Sequence, residues 1–417
     1  MVSLFGAVAK ASTAAYAVAI KPREEVSKLP RKLRIRRLQT HRLQRRQAGD
    51  STRGYALTIF RGNAIRRIPI RLVSSLPDYG VAGLDLILAR AFGDLVDFYG
   101  GVPYGSSGSP VYIGGKLIGA ISATFYPDSK LVGITPATAM QSIAGEPGMV
   151  KTTNNIGSII PSPARVTVAG LTSERALGEI SDRFGRPLPG RNSPAATGRT
   201  TPRLQAGSAL GAALLMGDIK LGFIGTATIV DTDQVYAFGH ALLFSGPTNL
   251  PLTTAQIADT ARGDSPDKIG TLGEVVGVVL QDRAAGIYAR LGQPAATVPL
   301  RLSIRDEDRN RVERLQVQAA PLPSELPFLV YIAALEGLQR AMNRVGAGSA
   351  VWDWSIQASD QEPVLVSGGT YDPYDIAGAV SAAILPTLEQ MLQSGDVIQS
   401  VELTASVTMR RLPELEE

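Results

Sequence analysis

Short runs of β-forming residues, divided by glycine and proline, are the feature that most limits how this chain can fold. The 417 residues include 43 glycines and 27 prolines, and such frequent breaks suit short strands joined by turns better than long helices. Residues 55–60 and 65–73 are two such runs on either side of an Arg-Gly-Asn turn. Residues 111–121 contain two more, divided by Gly114 and Gly115, which predicts a hairpin. The sequence therefore predicts a mainly β fold.

The chain is too long for one ordinary core, and changes in composition divide it into five segments. Residues 1–50 are a basic N-terminal extension, and residues 51–150 are a first β-rich block. Residues 151–205 are a connector whose last part, rich in Pro, Gly, Arg, Ser and Thr, is typical of a linker. Residues 206–305 are a second β-rich block. Residues 306–417 mix helical spacing with strand alternation, which predicts an α+β C-terminal region.

Several secondary elements can be predicted in the later part of the chain. The predicted helices cover residues 172–184, with Thr172 or Ser173 as the N-cap, and residues 326–345 and 375–393. Residues 372–375 (Asp-Pro-Tyr-Asp) predict a turn followed by a helix N-cap. Residues 399–410 alternate as an edge strand does.

The net charge of +5 is concentrated in the N-terminal extension. Between Lys21 and Arg46, eleven Lys or Arg residues stand against two Glu, so the rest of the chain is mildly acidic. A basic run of this kind is either a solvated arm or a contact for phosphates or an anionic surface, and no specific nucleic acid is expected. No stretch approaches the ~18 to 20 apolar residues of a membrane span. A signal peptide is not evident either, and nothing in the sequence fixes the oligomeric state.

The segment Gly-Ser-Ser-Gly-Ser-Pro at residues 105–110 is the best candidate for chemistry. A hydroxyl attacks a carbonyl usefully only when it lies on a tight, exposed turn beside a base. Glycines at 105 and 108 let the backbone fold so that the N–H groups of Gly105 and Ser107 converge on an oxyanion. The alternative is an ordinary loop rich in Gly and Ser, which composition alone favours.

A base for this hydroxyl has few candidates, because the chain contains two histidines and no cysteine. His41 lies in the basic extension, so His240, at the end of a strand-like run, is the only plausible imidazole. The acid that would orient it stays open among six residues of the two β-rich blocks: Asp85, Asp94, Asp97, Asp231, Asp233 and Asp282. Since no cysteine, no His-Glu-x-x-His and no phosphate-binding glycine loop occur, we expect neither a metal nor a cofactor.

Two segments of the chain resemble the SpoIVB peptidase family. Residues 100–120, GGVPYGSSGSPVYIGGKLIGA, resemble its serine segment, in which Gly-Gly precedes Gly-Met-Ser-Gly-Ser-Pro and a short hairpin ends in Gly-Lys-x-Ile-Gly-Ala. Residues 225–240, GTATIVDTDQVYAFGH, resemble its histidine segment. Ser106 replaces the family's usual Met. The serine segment also precedes the histidine segment, an order that the longer bacterial members share.

The resemblance implies a trypsin-like serine peptidase, a double β-barrel with its halves in permuted order, followed by an α+β region. It implies that Ser107 is the nucleophile and His240 the general base. The spacing of the family's acid implies Asp94, with Asp97 in reserve. It further implies that the substrate is a protein or peptide, either this chain itself or a single partner protein. The localisation that it implies is outside the cytoplasm or at the cell envelope. The alternative is a catalytically silent scaffold or binding protein of an envelope or larger assembly.

Overall fold

A closed six-stranded antiparallel barrel forms the first part of the fold. The computed structural model describes residues 52–145, 165–190, 203–359 and 361–410, all within one compact unit. The predicted basic extension with His41, and most of the predicted linker, lie outside these residues. The barrel order is β1-β2-β3-β6-β5-β4, and β4 pairs back to β1. Its strands are β1 Arg53–Ile59, β2 Ile65–Leu76, β3 Leu86–Ala91, β4 Pro110–Ile113, β5 Lys116–Thr124 and β6 Leu131–Pro136.

Alternating burial explains why these segments are strands. In β2, Ile68 and Ile70 are fully buried while Arg67 and Arg71 are exposed, as expected when successive side chains point to opposite faces. The predicted turn and hairpin are confirmed, since β1 pairs with β2 and β4 pairs with β5. Two short helices, α1 Asp94–Tyr99 and α2 Ala137–Ser142, and the 3-10 turns Val81–Gly83 and Ile143–Gly145 complete this part.

A second, 13-stranded sheet contains the remaining strands. Its order is β18-β17-β19-β15-β16-β9-β12-β13-β14-β11-β10-β7-β8. The strands are β7 Val166–Ala169, β8 Leu188–Pro189, β9 Ala209–Gly217, β10 Lys220–Asp231, β11 Gln234–Ala237, β12 Gly246–Ala261, β13 Asp267–Arg283, β14 Gly286–Leu291, β15 Val298–Asp306, β16 Arg311–Ala319, β17 Gly348–Ala358, β18 Val364–Asp372 and β19 Ile398–Thr408.

Part of this sheet returns on itself. Strand β9 pairs with both β12 and β10, so that β9, β12, β13, β14, β11 and β10 form a closed ring of antiparallel pairs. The fold is therefore mainly β, as predicted, and the closed barrel with this second sheet is compatible with a double β-barrel. Strands β15 to β19 extend the same sheet past residue 305, where the sequence predicts a segment boundary.

Four further helices cover or flank the second sheet: α3 Glu174–Phe184, α4 Leu326–Met342, α5 Ile376–Ala382 and α6 Leu385–Gln393. The predicted cap of α3 is confirmed, because Ser173 Oγ accepts from the N–H of Ala176 at 2.9 Å. Asp375 caps α5 by accepting from the N–H of Gly378 at 3.1 Å, also as predicted. The single helix predicted over residues 375–393 is two helices, and Pro386 lies in the first turn of the second.

Strand β19 is a central strand, so its prediction as an edge strand is wrong. It pairs in parallel with β15 and antiparallel with β17. Its alternation arises because one face is covered by α4, whose side chains are almost all buried, while the other face is more open.

No helix in the described part of the chain is both long enough and apolar enough to cross a membrane.

Candidate active site

The serine turn, residues 105–110, leads into β4 at the junction of the two β structures. It is held by its own backbone: the N–H of Ser106 donates to Pro103 O at 3.0 Å, and that of Ser109 donates to Ser106 O at 2.9 Å. Ser106 and Ser109 are buried, at 1% and 0% exposure. Ser107 is only half-buried and lines a cavity. Of the three serines in the turn, Ser107 is therefore the accessible one.

Two backbone donors of this turn have no hydrogen-bond acceptor in the part of the chain that the structure describes. The N–H groups of Ser106, Gly108 and Ser109 each donate to a backbone carbonyl. Those of Gly105 and Ser107 donate to no acceptor among the residues that the structure describes. Both residues line the same cavity. Two unpaired N–H groups beside an accessible hydroxyl are the donors that an oxyanion of acyl transfer requires.

The turn is docked on strand β10 of the second sheet. Ser107 O accepts from the N–H of Thr226 at 2.7 Å, and Gly108 O accepts from Thr228 Oγ1 at 2.7 Å. Gly108 has a φ of +92°, and a Cβ there would lie 2.0 Å from Thr226 O. Only glycine fits this approach of two backbones. Because β10 pairs with β11, which leads to His240, docking brings the two predicted motifs together.

His240 lies just beyond the end of β11 and borders the same cavity as Ser107. The ring is 7% exposed, and its Nδ1 lies 2.7 Å from the carbonyl oxygen of Ala241. A carbonyl oxygen can only accept, so this contact assigns the ring hydrogen to Nδ1. Nε2 is then the unprotonated nitrogen, which is the atom that a general base uses.

Burial lowers the pKa of His240 below its usual value, although the bond to Ala241 and the charge of Asp282 act in the opposite direction. The imidazole is therefore neutral at pH 7 and able to accept a proton. Asp282, on β13, is fully buried. Its carboxylate accepts from the N–H groups of Leu242 at 2.7 Å, Leu243 at 2.8 Å and Ser245 at 3.1 Å. These bonds hold the segment that follows His240.

The shared cavity of Ser107 and His240 is small. Its volume is about 20 Å³, room for roughly one water molecule. No hydrogen bond joins Ser107 Oγ to the imidazole within the described part of the chain. Catalytic hydrogen bonds are often long before substrate binds and shorten in the complex. Ser107 and His240 thus line one cavity without a hydrogen bond between them.

Asp94 and Asp97, the acids that the resemblance implies, do not lie beside His240. Both are exposed on α1, and Asp97 Oδ1 accepts from Lys130 Nζ at 2.7 Å. Neither lines a cavity that His240 borders. The reason is local: α1 begins at Asp94, and both acids lie on the exposed side of its first turn while Val96 is buried on the other. The partner of His240 Nδ1 is instead the carbonyl of Ala241.

The four other candidate carboxylates differ in whether they lie near the His240 ring. Asp231 is exposed, and Asp233 pairs with Arg290 at 2.5 Å. Asp85 is half-buried and lines a second cavity that His240 also borders, while its Oδ1 accepts from the N–H of Asp78 at 3.1 Å. Only Asp85 and Asp282, two of the six candidates, are therefore near the imidazole.

Two basic residues, Lys268 and Arg165, lie at the site although no sequence motif indicates this. Lys268, on β13, is 1% exposed, and its Nζ donates to Thr58 Oγ1 at 2.8 Å and to Gly105 O at 2.9 Å. Burial lowers the pKa of Lys268 to about 7. Arg165 lines the cavity, pairs with Asp267, and lies 4.3 Å from the centre of the Tyr104 ring.

In the described ranges, no group of three or more His, Asp or Glu side chains is arranged to hold a metal ion. Comparison of the chain with models of protein families, with curated proteins and with solved structures finds no match.

Proposed function

We propose that this chain is a serine endopeptidase in which Ser107 is the nucleophile and His240 the general base. One observation carries the proposal: one cavity is lined by the accessible Ser107, by His240 with its Nε2 unprotonated, and by Gly105, and the N–H groups of Gly105 and Ser107 meet no acceptor among the described residues. Residues of these types in this combination serve acyl transfer. The resemblance of both motifs to the SpoIVB peptidase family supports the same reaction.

The chemistry follows from the positions of these groups. Nε2 of His240 accepts the Ser107 proton as Oγ bonds to the substrate carbonyl carbon. The carbonyl oxygen, now negative, accepts from the N–H groups of Gly105 and Ser107. His240 then protonates the leaving amine, and water repeats the cycle on the acyl-enzyme. Ala241 O and the charge of Asp282 stabilise the imidazolium, although a carbonyl is a weaker partner than a hydrogen-bonded carboxylate.

The proposal includes the permuted order of the two halves. Ser107 comes from the first barrel and His240 from the ring that includes β10 and β11. A cleft between two such halves is indifferent to which half comes first in the chain, because the geometry defines the triad. Residues 306–417 are proposed as an α+β region attached to the second half. The contact of the basic extension with an anionic surface stays a prediction.

A fluorophosphonate probe tests the proposal, since it bonds only to an activated serine. We expect wild-type protein to be labelled at Ser107, as located by peptide mass spectrometry, and Ser107→Ala to remain unlabelled. Ser106→Ala is the matched control and is expected to be labelled, because the Ser106 hydroxyl is buried. Correctly folded wild-type protein that takes up no probe would contradict the proposal.

A silent scaffold is the second candidate, and specific observations favour it. The cavity is small, Ser107 Oγ makes no bond to His240, and a carbonyl occupies the place of the orienting acid. A scaffold predicts that Ser107→Ala and His240→Ala alter stability and nothing else. Peptide binding without hydrolysis, together with absence of labelling, would support it.

A further inference from the structure

We infer that Lys268 is a positioning residue that holds the Gly105 peptide in the orientation needed to bind the oxyanion. The inference rests on the proposed function, since it names a residue that prepares the same site. Lys268 touches none of the reacting atoms and acts through Gly105. Its amine donates to the carbonyl oxygen of Gly105, and Lys268 is not among the described residues that line the cavity of Ser107.

Lys268 extends from one β structure to the other. It belongs to β13 of the second sheet, while its partner Thr58 belongs to β1 of the barrel. The side chain also packs directly under the turn, because a Cβ built on Gly105 would lie 3.2 Å from Lys268 Cδ and 3.3 Å from its Cβ. A side chain that both packs under Gly105 and bonds to its carbonyl leaves that residue little freedom.

Gly105 needs such a restraint. Its φ is +83°, and a glycine with positive φ changes its backbone torsions at low cost. Its N–H belongs to the peptide that it shares with Tyr104 and its carbonyl to the next peptide, so the direction of the N–H is fixed only when both peptides are held. Lys268 contacts both, because its backbone N–H donates to Tyr104 O at 3.2 Å and its side chain holds the Gly105 oxygen. That oxygen accepts from Lys268 Nζ at 2.9 Å and from Thr226 Oγ1 at 3.2 Å. The bond from a charged amine is shorter and stronger than the one from the neutral hydroxyl.

Burying this amine away from water costs stability, because its charge loses its hydration. Lys268 is 1% exposed, and no carboxylate among the described residues is bonded to its Nζ. The nearest acid in sequence, Asp267, pairs with Arg165 instead. A buried, unpaired ammonium is disfavoured, and burial lowers its pKa to about 7. Its protonation, and with it the strength of the bond to Gly105 O, therefore changes near neutral pH.

Protonation of Lys268 strengthens its hold on Gly105, so this residue favours labelling at lower pH. The protonated amine gives the charge-assisted bond, so the restraint on Gly105 is complete below pH 7 and weakens as pH rises through about 7. The other titratable or charged groups around the turn are His240, Tyr104 and the Arg165–Asp267 pair. His240 acts in the opposite direction, because the base must be neutral and is lost at low pH. Labelling of Ser107 should therefore rise as pH rises through the lowered pKa of His240 and fall as pH rises through about 7.

The test compares the pH dependence of fluorophosphonate labelling in wild-type protein and in Lys268→Met. Met keeps the length and packing of the side chain but donates no hydrogen bond. We expect labelling of Lys268→Met at pH 6.5 to be at least 10-fold slower, with the fall above pH 7 abolished. Lys116→Met, which changes an exposed lysine of the barrel hairpin, is expected to match wild type in both rate and profile.

Each outcome separates the two claims. Wild type labelled at Ser107, with Lys268→Met equal in rate and pH profile, overturns the role of Lys268 and leaves the proposed function standing. Wild type that is not labelled at all overturns both. If Lys268→Met does not fold, the wild-type profile alone decides: a fall in rate as pH rises through about 7 supports the inference, and a rate that stays level to pH 9 overturns it.

Discussion

Replacing Gly108 by alanine tests whether the serine turn is docked on β10 as described. Gly108 has a φ of +92°, and an added Cβ would lie 2.0 Å from Thr226 O and 2.5 Å from the backbone nitrogen of Phe238. Both neighbours are backbone atoms of the second sheet, and neither can swing aside as a flexible side chain would. The turn must therefore move away from β10, which separates Ser107 from His240.

The loss in free energy of unfolding has two parts, the backbone strain at residue 108 and the hydrogen bonds that such a movement breaks. A left-handed conformation costs a residue with a Cβ roughly 1–2 kcal/mol. The bonds from Thr226 N to Ser107 O and from Thr228 Oγ1 to Gly108 O are both lost, at about 1 kcal/mol each. The free energy of unfolding of Gly108→Ala should therefore fall by about 3–4 kcal/mol. Labelling of Ser107 should be lost with it.

Gly114→Ala is the matched control for this experiment. Gly114 also has a positive φ, +56°, but no atom of the described residues lies within 4 Å of the added Cβ apart from its chain neighbours. Only the conformational cost of roughly 1–2 kcal/mol applies there, and labelling should continue. Urea unfolding of both variants, with labelling at a fixed probe concentration, makes the comparison. Equal losses of stability, or normal labelling of Gly108→Ala, would refute the docked arrangement.

Two further predictions concern the buried charges of the site. In Asp282→Asn, an amide NH₂ replaces a carboxylate oxygen that accepts from backbone N–H groups in the wild type. We expect the free energy of unfolding in urea to fall by about 1–3 kcal/mol and labelling of Ser107 to be slower. Unchanged values would show that Asp282 does not hold the His240 segment. The free energy of unfolding of wild type should rise relative to that of Lys268→Met by up to about 5 kcal/mol as pH rises from 7 to 10.5, because Lys268 keeps its proton over this range only in the unfolded chain. Parallel unfolding curves of Lys268→Met and Lys116→Met at all pH values would contradict the lowered pKa of Lys268.

The fold was predictable from the sequence where local chemistry decides it. The β1–β2 turn and the hairpin at Gly114 and Gly115 were found because alternation and turn glycines report directly on pairing. Strand β12 is not evident from the sequence, because Pro247 and Pro251 lie within it and its pairing to β13 shifts register several times. The edge prediction for β19 failed because alternation reports one covered face and not whether both strand edges are paired.

The site was predictable only in part, for a similar reason. The scarcity of histidine singled out His240, and turn glycines singled out Ser107; both border one cavity. The acid depends on how α1 faces, and no spacing rule shows that Asp94 is exposed there. Lys268 could not be found, because a single lysine between strand residues has the same pattern whether it faces solvent or a buried carbonyl.

The most direct test of the central claim is the second-order rate constant for fluorophosphonate labelling of Ser107, measured at pH 6.5 in wild type and His240→Ala. If His240 Nε2 activates Ser107, the variant should react at least 100-fold more slowly, as loss of a general base typically requires. Equal rate constants in the two folded proteins would contradict the account.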